Sequence, residues 1–151
     1  MKHIIIRKAC RLLELWEDGN RITSFPIGLG KQPVGRKTAA GDGKTPEGRY
    51  YICTRNPKSK YHLSLGLSYP NSADAYAART EGRISEVEYQ QILTAHKEKK
   101  RPPWDTDLGG EIMIHGGGAS DWTAGCAALD DEHMDILWEA CDIGTEVLIL
   151  P

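Results

Sequence analysis

Short runs of period-two alternation, broken by turn residues, place the tightest limit on what this chain can become. Leu13 and Leu15 flank Glu14 in one such run, and the stretches 3–8, 11–16 and 21–27 read as strands. Between the second and third, Glu17-Asp18-Gly19-Asn20 is a turn, because Asp-Gly supplies the positive φ of tight hairpins. Pro26 marks a strand edge or end. An antiparallel meander therefore opens the chain. Further strands are expected over 49–54, with Tyr50 and Ile52 on one face, and over 61–67, where Leu63, Leu65 and Leu67 alternate with His62, Ser64 and Gly66. Two more are expected at 111–114 and at 145–150, the last with Val147 and Ile149 inward or with both faces covered.

Helix signals come late. Ser85 and Glu88 form a capping box ahead of Tyr89, Ile92, Leu93 and His96, and Pro102-Pro103 stops a helix over 85–99. Asp130-Asp131 provide N-cap positions for a second, with Met134, Leu137, Trp138 and Cys141 as its apolar stripe and Gly144 beyond its end. The stretch 73–81 reads as a short helical turn or an irregular piece. Gly28 to Gly48, rich in glycine, proline and polar residues, reads as a long loop. With no repeat and no linker, 1–151 is expected to be a single mainly-β domain with two late helices.

Charge narrows the function classes. Nineteen basic residues face 21 acidic ones, a formal charge of −2, and the one basic run, Lys97 to Arg101, contains Glu98. No nucleic-acid partner is expected. No apolar run is long enough to cross a membrane. The start, Met1-Lys2-His3-Ile4-Ile5-Ile6-Arg7, is too short and too soon interrupted for a secretion signal. The chain then acts in the cytoplasm, has lost a leader, or is exported by another route. Of four cysteines, Cys10, Cys53 and Cys141 sit in apolar-periodic segments and read as small buried hydrophobes. His62 and His96 read as a strand residue and an interfacial residue rather than as catalysts.

Cys126 is different. The apolar run Ile112-Met113-Ile114 delivers His115, Gly116-Gly117-Gly118 follows, and the polar loop ends in Thr123-Ala124-Gly125-Cys126. A positioned imidazole beside a thiol is the arrangement of nucleophilic catalysis: Cys126 as nucleophile, His115 as base and later acid. Backbone amides around Thr123, Ala124, Gly125 and Gly117 are candidate oxyanion donors. A carbonyl of Gly116, Gly117 or Gly118 can accept the Nδ1 proton and orient the ring. Two plainer readings stand beside this one. One is an ordinary turn next to a half-buried cysteine; the other is a zinc set of His115, His133 and Cys126, which lacks close ligand spacing and a fourth ligand.

In this order the pieces resemble the catalytic domain of the L,D-transpeptidases, the YkuD-type peptidoglycan enzymes, over nearly the whole chain. Gly41-Asp42-Gly43-Lys44-Thr45-Pro46-Glu47-Gly48 resembles the family's GDGxTPxG loop. Ile114-His115-Gly116 and Thr123-Ala124-Gly125-Cys126 resemble its histidine and Ser/Thr-His-Gly-Cys motifs, and Gly144-Thr145-Glu146-Val147 its closing strand. The resemblance implies a β-sandwich-type fold and acyl transfer through a Cys126 thioester. His115 would be the base and the Gly116 carbonyl its orienting group, with no cofactor or metal. It implies peptidoglycan stem peptides as partners, release of a terminal D-amino acid, and a periplasmic or cell-envelope location; without a signal peptide the cytoplasm stays open. The sequence departs from the pattern at Ala124, where a second histidine is usual, and at Ala127-Ala128, in place of an apolar residue and Arg or Asn. The step from His115 to Cys126 is also shorter. Lys44, Arg49 and Arg79 are then candidates to grip a stem carboxylate. The acceptor is an amine (transpeptidase) or water (carboxypeptidase or other murein hydrolase). A catalytically weak peptidoglycan-binding module and a cytoplasmic thiol hydrolase are the competing expectations.

Overall fold

The computed structural model describes residues Met1–Pro151. β1 (Lys2–Arg7) pairs antiparallel with β2 (Leu12–Glu17), setting Ile4 opposite Leu15 and Ile6 opposite Leu13. The Asp18-Gly19 turn, with positive φ at both residues, leads into β3 (Asn20–Pro26). The opening meander is as expected. β4 (Gly48–Ser59) runs five residues past the expected strand end at 54 and pairs with β5 (His62–Leu67). Two helices follow, α1 (Ser72–Thr80) and α2 (Glu86–Lys97). Then come the short strands β6 (Met113–His115) and β7 (Ala127–Ala128), α3 (Asp131–Ala140) and β8 (Glu146–Leu150).

All eight strands make one sheet in the order β3-β2-β1-β8-β4-β5-β6-β7. The last strand lies at its centre, parallel to β1 and antiparallel to β4. The sheet curls until its ends meet. Past β3, the Gly28 amide donates to the Ala128 carbonyl and the Ala128 amide donates to the Gly28 carbonyl, each at 2.9 Å. A Cβ at Gly28 would lie 1.7 Å from the Ser120 carbonyl oxygen, so only glycine fits at this seam. Closure leaves little open sheet edge. Twenty-six buried side chains form the core, among them Ile4, Ile6, Leu13, Leu65, Ile114, Leu129, Met134 and Leu137.

α1 is more than the short turn expected over 73–81. Asn71 and Asp74 make a reciprocal capping box, and buried Asp74 also accepts from the Tyr50 hydroxyl at 2.8 Å. α2 starts at the Ser85–Glu88 box as expected, and His96 is bonded to the Pro70 carbonyl. Cys141 is buried and Cys53 partly so, but Cys10 is exposed. The expectation of a buried Cys10 fails because it lies in the turn between β1 and β2, outside either strand.

The long 28–48 loop is held by two buried lysines. Lys8 donates to the carbonyls of Gly35 (2.9 Å) and Thr45 (2.8 Å) and to the Glu47 carboxylate (3.0 Å). Lys37 donates to the Ala39 carbonyl and to Asp42, whose carboxylate also accepts the amides of Thr38, Ala39 and Lys44. Buried charges require such partners. No helix is long and apolar enough to cross a membrane.

Candidate active site

The site lies on the seam where the sheet closes. β6 carries His115 at its end, and β7 begins one residue after Cys126, parallel to β6 with Ile114 opposite Ala127. On the other side, the Gly28–Lys31 segment bonds to Thr123 and Ala128. The two sequence-distant motif residues are thus brought to one place by strand pairing. A cavity of about 460 Å³ is lined by Lys31, Gly41, Gly43, Tyr61, His115, Trp122, Thr123, Ala124 and Cys126.

His115 is buried, and its Nδ1 lies 2.6 Å from the Gly116 carbonyl oxygen. A carbonyl only accepts, so Nδ1 carries the proton and Nε2 is the basic nitrogen of the neutral ring. Tyr61, from the turn between β4 and β5, stacks on the imidazole with centroids 4.7 Å apart. Trp122 tilts against it at 5.5 Å and meets Tyr61 edge-on at 4.8 Å. The Trp122 indole donates to the Gly118 carbonyl at 2.9 Å, which ties this wall to the glycine run. Burial holds the His115 pKa below its ordinary value, and the Gly116 carbonyl partly opposes that shift.

The Cys126 thiol donates to the Glu111 carbonyl at 3.5 Å and accepts from the Met113 amide at 3.3 Å. It makes no hydrogen bond to His115. Burial pushes its pKa up, the Met113 amide lowers it, Glu111 raises it and Lys37 lowers it. Burial is the largest of these influences. At rest the pair is a neutral thiol and a neutral imidazole.

Gly125 has φ +147°, and a Cβ there would lie 2.7 Å from the Lys44 carbonyl oxygen. The bend before the cysteine therefore needs glycine. Thr123 Oγ1 donates to the Cys126 carbonyl at 2.8 Å and accepts from the Gly125 amide at 3.1 Å. The Thr123 amide is given to Leu29 and the Gly117 amide to Asp131. Of the expected oxyanion donors, Thr123, Gly125 and Gly117 thus have their amides engaged, and Gly117 and Gly125 do not line the cavity. The amides of Ala124 and Cys126 enter no hydrogen bond in the chain.

Sequence reasoning missed Tyr61, Trp122 and Lys31 as lining residues, and Asp130 and Asp131 as anchors. Asp131 accepts from the Gly117 amide at 2.9 Å and Asp130 from the Ala119 amide at 3.2 Å, so both acids tie down the glycine run rather than cap α3 with a side chain. The carboxylate-gripping candidates lie elsewhere. Arg79 pairs with Glu86, Arg49 lines a separate groove beside β1 and β8, and Lys44 is not among the lining residues. The zinc alternative is overturned: His133 stacks on Phe25, and no three His, Cys, Asp or Glu side chains converge as ligands.

A family model described as the L,D-transpeptidase catalytic domain, YkuD, matches residues 1–149. Among solved structures, the helical cell shape determining protein Pgp2 from Campylobacter jejuni is similar with a TM-score of 0.67 and 22% identity, covering 98% of this chain and 46% of that one. Bd1075 from Bdellovibrio bacteriovorus gives 0.63 and 21%, covering 99% and 47%. An L,D-transpeptidase from Xylanimonas cellulosilytica gives 0.57 and 19%, covering 99% and 60%. The chain thus spans about half the length of the first two and 60% of the third. At these identities the likeness shows the fold. No curated protein matches the chain in sequence.

Proposed function

The chain belongs to the L,D-transpeptidase catalytic-domain family, and from that premise we propose that it performs cysteine-dependent acyl transfer on peptidoglycan stem peptides. The observation that supports this most is the tautomer of His115. Its Nδ1 proton is committed to the Gly116 carbonyl, and the ring lines the same cavity as Cys126. Rotation of the Cys126 side chain off the Glu111 carbonyl is the step that would engage Nε2, and such bonds are often unmade without substrate.

His115 Nε2 then takes the thiol proton as the sulfur attacks the carbonyl after the diamino acid of a tetrapeptide stem. The negative oxygen falls to the uncommitted amides of Ala124 and Cys126. Collapse breaks the peptide bond, and the imidazolium returns its proton to the departing D-amino acid. A thioester on Cys126 remains. An amine or water then attacks the thioester, with His115 again as base, and gives cross-linked or trimmed product. The reading includes a single catalytic domain over 1–151 and a cell-envelope location.

The test is incubation of the chain and of Cys126→Ala with purified tetrapeptide muropeptides, followed by mass. D-amino acid release by the parent and none by the variant is the expected result. Dimers identify an amine acceptor and tripeptides identify water. Undiminished release by Cys126→Ala removes the nucleophile assignment; tight binding without release by the parent favours a binding module instead.

A further inference from the structure

We propose that Lys31 is the residue that recognises substrate charge in the Cys126 cavity, binding a stem-peptide carboxylate beside the scissile carbonyl; this rests on the reading of Cys126 as nucleophile. Lys31 is the one Lys or Arg side chain in the lining, and burial disfavours the charged form of the only histidine there, His115. No Asp or Glu lines the cavity. Lys8 is spent on Glu47 and two carbonyls and Lys37 on Asp42 and Ala39, while the unpaired Lys44 ammonium lies near Gly35, outside the cavity lining. The Lys31 ammonium enters no ion pair or hydrogen bond, and its side chain is exposed.

Its root is fixed to the nucleophile's own turn. The Lys31 amide donates to the Thr123 carbonyl at 3.0 Å, and the Thr123 amide donates to the Leu29 carbonyl at 3.3 Å. Thr123 in turn bonds the Cys126 carbonyl. These bonds tether the lysine backbone to the turn that carries the sulfur, while four methylenes let the ammonium sweep the cavity mouth. The lining residues Gly41, Gly43 and Ala124 offer no side chain that could compete. No second cation lines the cavity to meet a carboxylate. A charge-assisted N–H···O bond to the substrate supplies that contact. The chemistry predicts preference for stems with a free carboxylate near the cleaved bond over an uncharged internal peptide.

A stem offers two such groups, the terminal carboxylate of the leaving residue and the side-chain carboxylate of the diamino acid. Calorimetry with the full chain carrying Cys126→Ala distinguishes them. The probes are the tetrapeptide stem, the same stem amidated at its C-terminus, and the same stem amidated on the diamino acid. Lys31→Met should weaken binding of the free stem by about 10- to 100-fold, as expected for loss of a charged hydrogen bond. One amidated stem should bind the Lys31 chain that weakly, with no further loss in Lys31→Met, and that arm identifies the carboxylate. Lys31→Arg should restore most of the affinity. In the Cys126-intact chain, Lys31→Met should raise KM more than it lowers kcat. Equal affinities in both chains, equal losses on all three stems, or no binding of any stem to the Lys31 chain overturns the proposal. Failure of the nucleophile assignment shows separately, as turnover persisting in Cys126→Ala.

Discussion

At His115 and Cys126, one cause moves two groups in opposite directions. Burial disfavours the charged form of each, so the imidazole stays unprotonated to lower pH and the thiol stays protonated to higher pH. An acid limb in kcat/KM arises when His115 gains a proton and ceases to be a base. Its pKa is depressed, so the limb belongs below the ordinary imidazole value of 6.5. An alkaline limb arises when the pair loses the proton that the leaving amine needs. It belongs above the ordinary thiol value of 9.0. The expected profile of D-amino acid release is a broad plateau between those limbs, measured as initial rates against pH. An acid limb centred above 6.5 contradicts the assignment of His115 in this buried setting. The same burial explains why the neighbours of the ring escaped sequence reasoning. Tyr61 and Trp122 reach His115 through pairing of β5 with β6 and through a loop turn, and neither leaves a periodic trace in the chain.

Among the elements, local signals were legible and long-range ones were not. The Asp18-Gly19 hairpin and the Ser85–Glu88 capping box specify their own geometry within a few residues, and both form as expected. α1 carries a weaker local signal, because its box pairs Asn71 with Asp74 in place of the Ser/Thr and Glu/Gln of the usual pattern, and so 73–81 reads from sequence as a short helical turn or an irregular piece. β7, two alanines long, has no pattern of its own and exists by pairing with β6 and Gly28. The start of α3 shows how a local signal can be read correctly and its use missed. Asp130 and Asp131 do stand at the helix start, but their carboxylates hold the Gly117–Ala119 backbone. That backbone continues from Gly116, the acceptor for His115 Nδ1. Asp131→Ala leaves the Gly117 amide without its partner and loosens the orienting carbonyl. Both partners are exposed, so water takes the freed amide and the expected stability loss by urea titration is only about 0.5–1 kcal/mol, with about a tenfold fall in kcat and KM little changed. A kcat equal to that of the parent places the ring's orientation elsewhere than in this loop.

For the molecule as a whole, the closing seam joins stability to chemistry. Eight strands in one curled sheet leave two ends, and the bridges from Gly28 and Gly30 to Ala128 and Thr123 unite them. The interior strands β1 and β8 make full ladders on both sides. The seam has only isolated bridges, and it carries Thr123, Lys31 and the turn before Cys126. Regions with few backbone bonds open at lower free energy than the core, and functional loops are drawn from them. Gly28→Ala tests this coupling. The added methyl would sit 1.7 Å from the Ser120 carbonyl oxygen, a backbone atom that cannot swing aside as a side chain does. Overpacking of this kind costs about 1–3 kcal/mol, which in a chain of this size lowers Tm by roughly 2–10 °C. Because the strain falls on the seam, the amides of Lys31 and Ala128 should lose hydrogen-exchange protection while those of β1 and β8 keep theirs. D-amino acid release should fall by a larger factor than the stability loss alone explains, since the turn holding the sulfur shifts with Thr123. Uniform loss of protection across the sheet would show instead that the seam and the core open as one unit, and that closure adds stability without a separate hold on the site.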